Sequence, residues 1–300
     1  MQRLIRAQIY LVVLTAAFAC HERDVPQEVL QSAPWVEHSG FDWSHDGQLI
    51  VTPHFVIYSD AASEEERRKL ALGLEIFLAR LTGLLRIDST HSAWWPDTSS
   101  RFAVYLNRTH PEVPGGYAFH GGMILVSPDA PFFAHSGPGG YGRLVTHELV
   151  HVVTLALGHN PLNEPPVWFR EGFAEYCSGP RSSDIETVAA LDSLVAELGH
   201  DPLTWTPLQI KTVRDYPEEV LNHRQEGRYY PLFELAVRYL AEARTPQKSP
   251  SDLLRVFESM GVGERFSSSL APAVGLSAIE FEEDFYRLTR AWLVEGSNPK

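Results

Sequence analysis

His147-Glu148-Leu149-Val150-His151 decides how this chain is read. The segment lies in an apolar run from Tyr141 to Leu157 that no proline interrupts. Ser136-Gly137-Pro138-Gly139-Gly140 precedes the run, and Gly158 and Pro161 follow it, which are start and stop signals of a helix. Helical residues four apart sit nearly above one another, about 6 Å along the axis, so two imidazoles at that spacing can hold one metal ion from a single face. The glutamate between them lies a little round the helix, within reach of a metal-bound water, an arrangement suited to zinc hydrolysis. Leu144, Val145, Leu149, Val152, Val153 and Leu157 surround most of the helix with apolar groups, so it is expected to be buried. Buried polar groups need partners, and a metal ion would satisfy all three. The plainer alternative is a hydrogen-bonded pair of core histidines beside a solvated glutamate.

A hydrolytic zinc ion usually takes three protein ligands and leaves one position for water. The pattern H-E-x-x-H-x-x-G-x-x-H needs glycine at 154 and histidine at 157, where this chain has Thr154 and Leu157. The better third ligand is Glu171, twenty residues after His151 in Pro166-Val167-Trp168-Phe169-Arg170-Glu171-Gly172-Phe173-Ala174-Glu175-Tyr176. Pro165-Pro166 suits the first turn of a second helix. Glu175 falls one turn after Glu171 and could hydrogen-bond a ligating imidazole and fix its tautomer. Gly172 leaves room for two helices to approach closely. A solvated face is the alternative for the two glutamates, but their aromatic neighbours argue against it.

His147-Glu148-x-x-His151 followed by Trp168-Phe169-x-Glu171-Gly172-x-Ala174-Glu175-Tyr176 resembles a gluzincin, and more narrowly the peptidase MA-like domains of bacterial exported proteins. The resemblance spans roughly residues 50–292, with specific motifs only in 147–176. It weakens at Tyr229–Leu240, where Phe233 and Ala236 replace the usual serine and aromatic residue. It implies an α+β, zincin-like fold and a zinc-dependent metallopeptidase binding one Zn2+ ion. His147, His151 and Glu171 would be the ligands, Glu148 the general base that activates the zinc-bound water, and Glu175 the acid beside the ligands. Gluzincins commonly supply a Tyr or His from a later helix to the tetrahedral oxyanion. Tyr230 is the candidate here, with Tyr229 and His223 behind it; plain packing is the equal alternative for Tyr230.

Before the motif, Leu49-Ile50-Val51 and Phe55-Val56-Ile57-Tyr58 read as strands, and Arg101–Leu106 as another. Residues 63–85 read as an amphipathic helix, with Ser63 and Glu66 as a capping box and Leu70, Leu74, Phe77, Leu78, Leu81 and Leu85 on its apolar face. Tyr117–His120 and Met123–Val126 form a hairpin about a Gly-rich corner. In metallopeptidases of this clan an edge strand before the zinc helix pairs with the substrate backbone. By resemblance, Met123–Ser127 or Gly116–Phe119 would be that strand, reading main chain more than side chains. His120 and His135 read as ordinary loop histidines. Beyond the zinc segment, helices are expected over 183–199, 228–242, 251–260 and 277–292, the last capped by Ser277 and Glu280 and burying Phe281, Phe285, Leu288 and Trp292.

Three hundred residues can bury a sizeable core, here expected as one compact unit of two lobes. A net charge of −13 with scattered basic residues excludes nucleic acid as a partner. Arg3 and Arg6 precede an apolar stretch, Ile9–Ala19, too short for a membrane span and suited to a signal peptide. Ala17-Phe18-Ala19 is a small-x-small cleavage site followed by Cys20, which resembles a bacterial lipoprotein signal with Cys20 lipidated. Plain cleavage with an incidental cysteine is the alternative. The expected division is a signal peptide over 1–19, a tether over 20–48, an N-terminal α/β part with the edge strand over 49–135, zinc-binding helices over 136–242, and a helical segment over 243–300. A monomer is expected, outside the cytoplasm, as a cell-envelope lipoprotein or else periplasmic or secreted, touching the membrane only through the lipid anchor. Cys177 is the one cysteine left in the mature body, so no intramolecular disulfide frames the fold. Peptides or proteins are the expected substrates. The alternatives are an inactive peptidase-like binding module and a zinc hydrolase of a non-peptide cell-wall amide; Glu148 favours an active enzyme, since a scaffold needs no general base.

Overall fold

A computed structural model of the chain describes residues 48–59, 63–87, 101–107, 116–119, 121–126, 142–158, 164–178, 215–216, 229–243 and 247–285. The expected signal peptide, the tether apart from Gln48 (which begins the first strand), Cys20, His120, His135, His223, the helix over 183–199, Leu288 and Trp292 lie outside them. The described part is mixed α+β, with one small sheet and mostly helix. No helix among the described residues is long and apolar enough to cross a membrane. The chain divides into two compact units at Ala156/Leu157, with Leu84–Arg86 grouped with the second.

The first unit holds strands β1 (Gln48–Val51), β2 (Phe55–Ser59), β3 (Phe102–Asn107), β4 (Gly116–Phe119) and β5 (Gly122–Val126), with helix α1 (Glu64–Leu85). Their order across the sheet is β1-β2-β3-β5-β4. β2, β3 and β5 run parallel, and antiparallel β1 and β4 close the two sides. Ile50, Ile57, Val104, Met123 and Ala118 form one row across all five strands. Parallel neighbours need a long connection, and α1 supplies it between β2 and β3. Alternation puts Phe55, Ile57, Phe102, Val104 and Met123 into the core, and α1 buries Leu70, Leu74, Leu78, Leu81 and Leu85. The expected cap of α1 is present: Ser63 N–H and Oγ both donate to Glu66 Oε2, at 2.8 and 2.9 Å. His54, between β1 and β2, is tied to α1 by its backbone N–H and its ring, 2.9 and 2.7 Å from the Glu75 carboxylate oxygens.

Helix α2 (Gly142–Gly158) carries the H-E-x-x-H segment and matches the expected run to within a residue. In the second unit, α3 (Val167–Cys177) follows Pro166, which stands just before the helix rather than within its first turn. Pro166 O accepts from the N–H groups of Phe169 and Arg170, both at 3.0 Å, so proline's missing donor costs nothing there. α4 (Tyr230–Arg238) runs on into a π turn, Tyr239–Ala243. α5 (Pro250–Gly261) and α6 (Phe266–Val274) follow, and another helix begins at residue 278. Ser277 and Glu280 form the expected capping box at its start. α6 departs from the sequence expectation of only two helices after residue 250. Three serines and Pro272 hide it locally, and packing sustains it: the Phe266 ring lies 5.7 Å from Trp168 and 5.1 Å from Phe169, and Leu270 is buried. α3 brings Trp168, Phe169 and Phe173 into an aromatic core with Phe257 and Phe281, at ring separations of 5.1–5.2 Å for Trp168–Phe281, Phe169–Phe257 and Phe173–Phe257. Such pairs favour offset and edge-on geometry and fix α3 about its own axis.

Candidate metal centre

Helix α2 is apolar nearly all round, with Val145, Leu149, Val150, Val152 and Val153 buried. His147, Glu148 and His151 are buried with them. One helical turn sets the two imidazoles face to edge, with ring centroids 4.7 Å apart and planes at 83°. Their Nε2 atoms are 3.1 Å apart. That separation admits one N–H···N hydrogen bond, and two nitrogens so close could equally share one zinc ion at about 2.0–2.1 Å from each. Thr154, where another pattern would need glycine, is buried and donates through Oγ1 to the His151 carbonyl at 3.1 Å.

Glu171 and Glu175 are both buried on α3. His147, His151 and Glu171 each offer one ligand atom, and these atoms lie within 4.8 Å of one another. Two imidazoles and a carboxylate, all buried, could hold a metal ion, and the donor set is one that zinc accepts. A hydrogen-bonded histidine pair alone has no need of the third group.

Arg170 went unnoticed in the sequence. Its Nε donates to Glu171 Oε1 at 3.1 Å, and its Nη1 lies 3.4 Å from Glu164 Oε2. Burial works against the guanidinium charge, but Glu171 first, then Glu164 and Tyr230, outweigh it and raise its pKa. Tyr230 opens α4 half-buried, with its ring 6.3 Å from Phe233. The available signal for Arg170 was a lone cation beside the two glutamates of an otherwise uncharged helix. Tyr229, the reserve candidate, is buried against Phe233 and Tyr216 at 6.0 and 5.4 Å, and burial raises its phenol pKa; this is core packing.

Two glycines allow close approaches, the expected one at Gly172 and an unexpected one at Gly116. A Cβ on Gly172 would collide with the Phe233 carbonyl oxygen and lie 2.6 Å from its carbon, so α3 and α4 meet backbone to backbone beside Glu171. A Cβ on Gly116 would lie 2.5 Å from Glu148 Oε1. Gly116 opens β4, which ends the described sheet on one side as β1 does on the other, whereas β5 is paired on both sides. Of the two strands considered for substrate pairing, only Gly116–Phe119 is at an end of the described sheet. Cys177 is buried, and burial pushes its thiol pKa well up, which disfavours a thiolate ligand or nucleophile.

No protein-family model matches the chain, and a search of curated proteins finds no match.

Proposed function

We propose that this chain is an exported zinc metallopeptidase of the gluzincin type, with a zincin-like fold, that hydrolyses peptide bonds. The observation that carries the reading is the convergence of buried His147, His151 and Glu171, with buried Glu148 on the same helix as the two histidines. A zinc ion held there would supply a Lewis acid that acidifies water and polarises a carbonyl. Glu148 accepts the proton of the attacking water as its oxygen adds to the carbonyl carbon, and delivers a proton to the amide nitrogen as the C–N bond breaks. Tyr230 donates a hydrogen bond to the oxyanion, and Arg170 holds one Glu171 oxygen in place. Glu175 offers a second carboxylate to orient a ligating imidazole. β4, at the end of the described sheet, takes the substrate main chain by strand addition, which suits peptides or proteins. Cys20 would tether the enzyme to the cell envelope through a lipid.

The test combines zinc stoichiometry with turnover of a peptide library by wild type and Glu148→Gln. One zinc per chain in both proteins, with turnover at least about 100-fold lower in the variant, is the expected result. Zinc binding with no difference in turnover between the two would sink the peptidase reading.

A further inference from the structure

Gly116 pairs with Leu125 in the ladder between β4 and β5. A Cβ at Gly116 would stand 2.5 Å from Oε1, 2.6 Å from Cγ and 2.7 Å from Cδ of Glu148. Non-bonded carbon atoms prefer about 3.5–4.0 Å, so the Glu148 carboxylate end fills the volume that any side chain at 116 would need. Backbone conformation does not explain this glycine. Gly121, Gly263 and Gly275 take positive φ with nothing within 4 Å of their Cβ positions; Gly116 is the reverse, absent from the positive-φ set and crowded. Glu148 is 6% exposed, so its carboxylate is enclosed where the added Cβ would meet it.

We infer that Gly116 is a positioning residue for Glu148: the first residue of the edge strand is the wall on which the carboxylate rests, and its bareness sets where the carboxylate sits. The inference rests on the reading of Glu148 as general base. An alanine at 116 would displace Oε1 by about 0.5–0.9 Å, the gap between 2.5 Å and a tolerated 3.0–3.4 Å contact. Misplacement of a catalytic group on the order of 1 Å can cost about 100-fold in rate. The three atoms nearest the added Cβ all belong to Glu148, so the first effect expected is on the base rather than on zinc affinity. The same strand that takes the substrate would then align the base with it.

The full-length protein is compared as wild type, Gly116→Ala, Glu148→Ala and the double variant, by zinc Kd from chelator competition, kcat and KM on one library peptide, and urea midpoint. Gly116→Ala is expected to lower kcat about 10–100-fold with KM and zinc Kd within about threefold. It is also expected to lower the urea midpoint in the wild-type background but not in the Glu148→Ala background, where the three crowding atoms are gone. If Gly116→Ala does not fold, folding of the double variant is the same result. Wild-type kcat in Gly116→Ala, or an equal midpoint loss in both backgrounds, overturns the inference. A wild-type protein that turns over no peptide defeats the peptidase reading separately, and the midpoint cycle still decides whether Gly116 positions Glu148.

Discussion

Replacing Gly172 by alanine sets two effects of opposite sign against each other. In a helix interior alanine is favoured over glycine by about 0.8–1.0 kcal/mol. Against that, the added Cβ would overlap the Phe233 carbonyl oxygen and come within 2.6 Å of its carbon and 2.9 Å of Val237 Cγ2. Overpacking by one methyl group costs about 1–3 kcal/mol, and the upper end applies here because a backbone carbonyl cannot rotate aside. The net expectation is a loss of about 2 kcal/mol, which at about 2–4 °C per kcal/mol for a domain of 150–250 residues lowers Tm by about 4–8 °C. Urea and thermal unfolding followed by far-UV circular dichroism measure it. Because Glu171 is the preceding residue, zinc affinity measured by chelator competition should weaken as well. A Gly172→Ala protein as stable as wild type, or more so, would mean that helix propensity alone operates and that α3 and α4 do not approach as described.

Three further outcomes are expected. His147→Ala and Glu171→Ala should each bring bound zinc from about one per chain toward zero, while Glu175→Gln keeps zinc with about 10–100-fold weaker affinity; wild-type affinity in Glu171→Ala would remove it from the ligand set. Burial opposes the charge on Glu75, but hydrogen bonds from the His54 ring, Thr52 and the His54 backbone N–H outweigh it and hold the carboxyl pKa below the ordinary value. A depressed folded-state pKa contributes stability above the unfolded value, about 4.3, that is lost as pH falls through the folded value. Glu75→Gln should therefore lower the urea midpoint at pH 6–7 and progressively less below about pH 4, and a pH-independent cost would contradict the assignment. Cys177, its thiol pKa raised by burial, should resist iodoacetamide in the native protein at pH 8 and react on unfolding, read by peptide mass mapping; rapid native labelling would show that it is accessible.

What could be read along the chain was what a helix or strand imposes on its own neighbours. The Ser63–Glu66 and Ser277–Glu280 caps span three residues, and the His147–His151 pair spans four. Helical geometry alone sets those distances, so residue spacing was enough. The strands β1 to β5 announced themselves by apolar runs and turn residues, each within a residue or two of its observed bounds. Helix α6 did not, because Pro272 and three serines speak against a helix locally, while Phe266 and Leu270 are held by distant partners.

The identity of the edge strand illustrates the limit. β4 and β5 were both eligible, and only the pairing order, with β5 between β3 and β4, puts β4 at the end of the described sheet. Arg170 beside Glu171 and Gly116 against Glu148 are likewise tertiary facts; at Gly172 a close helix approach was expected, and the structure supplies the partner, the Phe233 carbonyl. The sequence by itself determined the α+β class, the metal-type donors and the helices that carry them, because these depend on periodicity and on side-chain chemistry. Only the tertiary structure decided that ligand atoms of His147, His151 and Glu171 lie within 4.8 Å of one another, and that a bare backbone at Gly116 abuts Glu148. Those distances arise from packing between segments tens of residues apart, and no local spacing encodes them.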